Sequence, residues 1–166
     1  MWAKSKKMLL SYADAYNFSL DRLADRDHSS AELTAKLKER GCSDEMTERV
    51  LTALRSHHFV DDERCAGYVV DAWRRKKYYG RQYLRLMFSK RMIPQDIAER
   101  LMEEITEAEE RERAGALARQ QMPKLRRKYG DESRKGKAAL ARMLTSRGFT
   151  SGVIAETIGL YDDMAE

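Results

Sequence analysis

The 166-residue chain is poor in helix breakers and cross-links, with two prolines, Pro94 and Pro123, and two cysteines, Cys42 and Cys65. Scarce proline beside abundant Ala, Leu, Glu, Lys and Arg points to helix. No alternation of β-branched residues runs long enough for a strand. The cysteines lie apart with no CxxC pairing, so they read as buried thiols in a reducing cytoplasm and not as a disulfide framework. No apolar run reaches the roughly 18 residues that span a membrane. The start, "MWAKSKKMLLSYADAYNF", has too short an apolar stretch for a signal peptide.

Motifs for chemistry are lacking too. There is no P-loop, no GxGxxG and no GxSxG. His28, His57 and His58 have no metal-ligand spacing with Cys or carboxylate. The pairs Glu103–Glu104 and Glu109–Glu110 read as solvated helix faces. The chain is expected to be no enzyme, with no catalytic residue, no metal and no cofactor.

What is present is unevenly placed charge. The net charge is +5, and residues 61–100 alone hold ten Lys/Arg against six Asp/Glu. Within "WRRKKYYGRQYLRLMFSKR" (73–91) no acid falls between Arg74 and Arg91. A second acid-free stretch is "LARQQMPKLRRKYG" (117–130). Local excess of this kind favours an anionic partner.

The chain also repeats itself. "ELTAKLKERGCSDEMTERV" (32–50), "YLRLMFSKRMIPQDIAERL" (83–101) and "ALARMLTSRGFTSGVIAET" (139–157) align without gaps, at offsets of 51 and 56 residues. Leu33, Leu84 and Leu140 match, as do Leu37, Phe88 and Leu144. Two apolar residues four apart mark one helical face. Arg40, Arg91 and Arg147 fall in the last turn, where a cation suits the negative helix end. Gly41 and Gly148 follow as residues with φ > 0. Ser43, Pro94 and Thr150 then suit the start of a second helix. Another helix precedes each pair: 12–26, with Leu20 and Leu23 facing inward; one capped by Asp61 or Asp62 and ending near Lys77; and one from Thr106 to Tyr129, stopped by Gly130. Ser29 and Glu32 form a capping box. Pro123 is expected to kink or split the last of these helices.

The expected fold is therefore all-α, with three tandem three-helix modules in an elongated helical repeat array. The expected divisions are an N-terminal extension, 1–11, and modules at 12–60, 61–105 and 106–166.

Arg74, Arg75, Lys76, Lys77, Arg81 and Arg85 have no evident structural duty, and a merely solvated face would interleave acids for local pairing. With Lys124, Arg126, Arg127 and Lys128 they form the candidate binding surface. Tyr78, Tyr79 and Tyr129 flank it and read as caps on the adjacent core more than as base-stacking platforms. Arg91 reads as a helix-end cation. Major-groove reading is disfavoured, because "DEMTERVLTALR" and "QDIAERLMEEI" are acidic at the ends that would meet bases.

Four stretches together resemble a known family: "RDHSSAELTAKL" (26–37), "FVDDERCAGYVVDAW" (59–73), "RKYG" (127–130) and "RGF" (147–149). In order and spacing they are similar to RecX proteins, bacterial regulators of the RecA recombinase, over about Leu20 to Tyr161. The departures are Tyr78 and Met92, where the family usually has glycine. The resemblance implies a cytoplasmic, monomeric, non-catalytic protein that binds the RecA–DNA filament and suppresses ATP hydrolysis, strand exchange and coprotease activity. It would meet acidic RecA surface, DNA phosphates within the filament, or both. The alternative is a nonspecific single-stranded or double-stranded DNA-binding protein acting through its basic faces.

Overall fold

The computed structural model describes residues 8–130 and 133–159. Among them the chain forms helices and no strand: α1 (Tyr12–Asp25), α2 (Ser30–Lys38), α3 (Asp44–Ser56), α4 (Asp62–Arg75), α5 (Arg81–Lys90), α6 (Gln95–Glu104), α7 (Glu107–Tyr129), α8 (Ser133–Ser146) and α9 (Ser151–Gly159). None is long and apolar enough to cross a membrane. The all-α repeat read from the sequence is present: α2–α3, α5–α6 and α8–α9 are the three aligned helix pairs.

Local chemistry explains the boundaries. Ser11, Ser29, Ser43 and Thr106 each accept a backbone N–H from the first turn of the helix that follows. At Ser29 the Glu32 carboxylate returns the bond, completing the capping box. Asp61 accepts the Arg64 amide at 2.9 Å at the start of α4. Gly130 (φ 54) ends α7 and donates to the Arg126 carbonyl. Pro123 does not split α7, which runs unbroken through it. Proline removes one N–H, and its ring here is exposed. Ala118 and Met122 before it and Leu125 after it are buried in one core, which holds both halves in a single helix.

The turn after the first helix of each pair is left-handed in all three repeats: Gly41 at φ 83, Gly148 at φ 74, and Met92 at φ 46. Methionine therefore adopts the conformation that glycine takes elsewhere. The Ser29 hydroxyl sits 2.8 Å from the Arg91 carbonyl and 3.1 Å from the Met92 carbonyl, and buried Ile93 anchors the far side. A Cβ at positive φ is penalised by about 1–2 kcal/mol, and the Met92 side chain, 48% exposed, contributes little packing in return. Met92→Gly is expected to stabilise the protein by about 0.5–1 kcal/mol, since glycine's extra freedom when unfolded offsets part of the gain. Urea unfolding checks this: the midpoint should rise at unchanged m.

By its contacts the chain divides into two compact units. One runs to Tyr68 and takes in Ser89–Ile97; the other comprises Val69–Phe88 and the chain from Ala98. The first unit is built on Leu33, Leu37, Val50, Leu51 and Leu54, with Leu20 and Leu23 packed against them and Cys42 buried among them as a free thiol. Its polar centre is Glu32, which accepts from Nη2 and Nη1 of Arg26 at 2.7 and 3.0 Å and from Nε of Arg91 at 3.2 Å. Burial alone would raise the Glu32 carboxyl; the Arg26 hydrogen bonds and the charges of Arg91 and Arg26 hold it below the ordinary range. Arg91 is thus more than a helix-end cation, for it also donates to the Asp27 carbonyl.

The second unit is centred on Leu117, Leu140, Leu144, Phe149 and Val153. Two backbone bonds hold the start of α5 to the turn between α8 and α9: the Gly80 amide donates to the Arg147 carbonyl at 3.0 Å, and the Gln82 amide to the Gly148 carbonyl at 2.8 Å.

Candidate functional site

A recurring junction sets up the basic stretches. In the first unit the Asp62 carboxylate accepts the Ser30 amide at 2.7 Å. In the second the Glu110 carboxylate accepts the Arg81 amide at 3.0 Å. Ser30 and Arg81 are the same repeat position, 51 residues apart. Each time, an acid from the first turns of a later helix satisfies an orphan N–H of an earlier one. Glu110 does more. Fully buried, it also accepts the Thr150 amide at 3.0 Å and the Thr150 hydroxyl at 2.9 Å. It is therefore not the solvated surface acid that its sequence context suggests.

Arg113 fixes the other end of α4. Its Nη2 donates to the carbonyls of Trp73 (2.8 Å) and Lys76 (2.7 Å), and its Nε to that of Tyr79 (3.1 Å). Its guanidinium carbon lies 3.8 Å from the centroid of the buried Trp73 ring. The Trp73 indole N–H in turn donates to the Gly80 carbonyl at 3.0 Å. Burial lowers the Arg113 pKa, the Glu109 charge opposes that, and Arg74 adds to it. The segment from Trp73 to Gly80 is thereby pinned through its carbonyls, leaving the side chains of Arg74, Arg75, Lys76 and Lys77 outward.

Arg74, Arg75, Lys76 and Lys77 are all exposed there. Glu109 reaches Arg74 only at 3.8 Å, and the Lys76 ammonium lies 5.6 Å from the Tyr79 ring. Arg85 is exposed on the outer face of α5 beside exposed Leu86. Lys124 and Arg127 are exposed on α7, and Arg126 is half-buried and engaged. The Lys128 ammonium lies 5.3 Å from the Tyr129 ring. Arg75, Lys77, Arg85, Lys124 and Arg127 make no ion pair with any described acid.

Arg81 departs from the expectation that it has no structural duty. It is half-buried, its Nη2 donates to the Met102 carbonyl at 2.9 Å, and its Nε is buried without a partner. The end of α6 needs a donor for its last carbonyls, and Arg81 supplies it. The tyrosines cap: Tyr78 and Tyr129 pack against the second unit's core, and the Tyr79 ring lies tilted against that of Tyr83, centroids 4.2 Å apart, under the Arg147 guanidinium. The second basic stretch and the first as far as Phe88 belong to this second unit, while Ser89, Lys90 and Arg91 belong to the first. Among the described residues, no group of three or more His, Cys, Asp or Glu is placed to hold a metal ion.

Glu110 and Arg113 are the residues that sequence reasoning missed. Nothing local separates Glu110 from Glu109, or Arg113 from Arg111; what distinguishes them lies 29 to 40 residues away in the chain.

Residues 15–54, covering most of α1 through α3, match the family model for the first three-helix domain of RecX. The chain is 32% identical to the regulatory protein RecX of Chlorobium limicola over 87% of both chains. It is 34% identical to the regulatory protein RecX of Prosthecochloris aestuarii, over 87% of this chain and 91% of that one. The crystal structure of RecX from Lactobacillus salivarius superposes with a TM-score of 0.76 at 22% identity, covering 91% of this chain and 96% of that one, a likeness of fold. With two relatives above 30% identity along nearly their whole length, the chain belongs to the RecX family of regulatory proteins.

Proposed function

We propose that this protein binds the filament of RecA on DNA and restrains its ATPase, recombinase and coprotease activities, with no catalysis of its own. The observation that carries this is the cluster of exposed cations at the end of α4, which Glu109 meets only at Arg74, at 3.8 Å, and which is held on a backbone that Arg113 pins. Fixed cations lose less freedom on binding than mobile ones, so they suit an anionic surface presented at regular intervals. The filament offers two such surfaces, DNA phosphates and acidic RecA side chains. Three tandem modules would let the chain touch successive subunits and gain by multivalency.

The test is charge reversal at Arg74, Arg75, Lys77 and Arg85 together, with helical content followed in parallel. The concentration needed for half-inhibition of RecA ATPase on single-stranded DNA is expected to rise about tenfold or more, a change of at least about 1.4 kcal/mol. Undiminished inhibition by the folded variant would sink the assignment. Binding to bare and to RecA-coated DNA at one salt concentration separates this reading from plain DNA binding. Equal or tighter binding to bare DNA, falling steeply with salt, would favour the latter.

A further inference from the structure

Along one side of the second unit, α7 and α8 flank a shallow groove about two helical turns long, roughly 10 Å at 1.5 Å per residue. From α7 it takes Lys124, Leu125 and Lys128; from α8 it takes Ala139, Arg142 and Met143. On each helix these residues recur at three- and four-residue spacing, so each turns one face to the groove. Leu125 and Ala139 are buried in its floor, and Met143 is half-buried. Lys124, Lys128 and Arg142 are exposed along it, and among the described lining residues there is no carboxylate.

We propose that this groove docks a short amphipathic helix from an acidic protein partner, one that sets apolar side chains on the floor and carboxylates against the three cations. Helix-in-groove recognition uses apolar anchors at the spacing the two walls share, and opposite charge at the edges fixes register. Nucleic acid fits less well. An apolar floor offers phosphates nothing, and the Tyr129 ring at the groove already has the Lys128 ammonium 5.3 Å from its centroid, on a face where a base would stack. A second copy of the chain would bring the same three cations against these, like charge on like.

The proposal stands apart from the filament reading, because its test contains no RecA and uses DNA only as a competing ligand. The probe is a synthetic helical peptide of about four turns, with leucine at i, i+3, i+4 and i+7 and glutamate beside them. It is titrated into the ¹⁵N-labelled full chain. Amide shifts are expected to concentrate in 121–129 and 139–146. Lys124→Glu with Arg142→Glu, both exposed sites, should weaken binding about tenfold or more while the rest of the spectrum stays in place. A scrambled peptide of the same composition binding equally well would overturn the proposal, as would shifts spread over other helices. Tighter binding of oligothymidylate at the same residues would assign the groove to nucleic acid instead. A chain ending at Gly159 that binds the peptide about tenfold tighter would make the acidic segment 160–166 the occupant, and would equally overturn the partner assignment.

Discussion

Gly80→Ala is expected to destabilise the second unit by about 3–5 kcal/mol, a large share of the roughly 5–15 kcal/mol that holds a domain folded. A Cβ on Gly80 would lie 2.4 Å from the Phe149 Cα, 2.5 Å from the Gly148 oxygen and 2.6 Å from the Phe149 amide nitrogen. All three are backbone atoms, so no side chain can swing aside. Relief requires the segments around Gly80 and Gly148 to part, and that breaks the bonds from the Gly80 amide to Arg147 and from the Gln82 amide to Gly148. Overpacking costs about 1–3 kcal/mol, and each buried bond left unmade adds about 1 kcal/mol or more.

Gly148→Ala should be comparable for two separate reasons. Its Cβ would meet the Tyr83 amide nitrogen at 2.5 Å, and its φ of 74 lies in the left-handed region. Gly67 is the control. It sits inside α4 with nothing within 4 Å of an added Cβ, so Gly67→Ala should stabilise by about 0.5–1 kcal/mol through helix propensity. Urea unfolding of the three variants decides the matter. If Gly80→Ala and Gly67→Ala shifted the midpoint alike, the close approach of the two segments would not be a source of stability.

The features legible in the sequence are those whose causes lie within a few residues. Ser29 and Glu32 announce a capping box because both bonds close within one turn. Gly130 announces the end of α7 for the same reason. The three-fold alignment located the left-handed turns at Gly41 and Gly148 but not the one at Met92, where local preference argues against that conformation and the anchoring at Ser29 and Ile93 overrides it. What stayed hidden depends on distant partners. Arg81 and Arg85 look alike in a basic run, yet only Arg81 meets the Met102 carbonyl, 21 residues on. Pro123 looks like a break, yet the packing of Met122 and Leu125 in one core carries the helix past it. The candidate surface was visible as missing acids; the device that pins it, Arg113 on the carbonyls of Trp73, Lys76 and Tyr79, was not.

The other large effect is expected at Glu110, where one carboxylate serves two helix starts. Glu110→Ala would orphan the Arg81 and Thr150 amides and the Thr150 hydroxyl in a fully buried place. With about 1–3 kcal/mol for each buried group left unsatisfied, less what water entering the cavity restores, the loss should be about 3–5 kcal/mol. Glu110→Gln separates geometry from charge. Both amides bond to the same oxygen, Oε1, which the glutamine carbonyl can replace, while the Thr150 hydroxyl can turn to accept from the new NH₂. That variant forfeits only the attraction between a full negative charge and two helix N-termini, about 1–2 kcal/mol. Amide hydrogen exchange supplies the local readout. In Glu110→Ala the Arg81 and Thr150 amides should lose protection, while the amides of α2 and α3 in the first unit keep theirs. A cycle with Thr150→Val should then show coupling of at least about 0.5 kcal/mol, as expected for groups sharing one network. Equal losses for alanine and glutamine would make the charge, and not the hydrogen-bond geometry, what holds α5 and α9 in place.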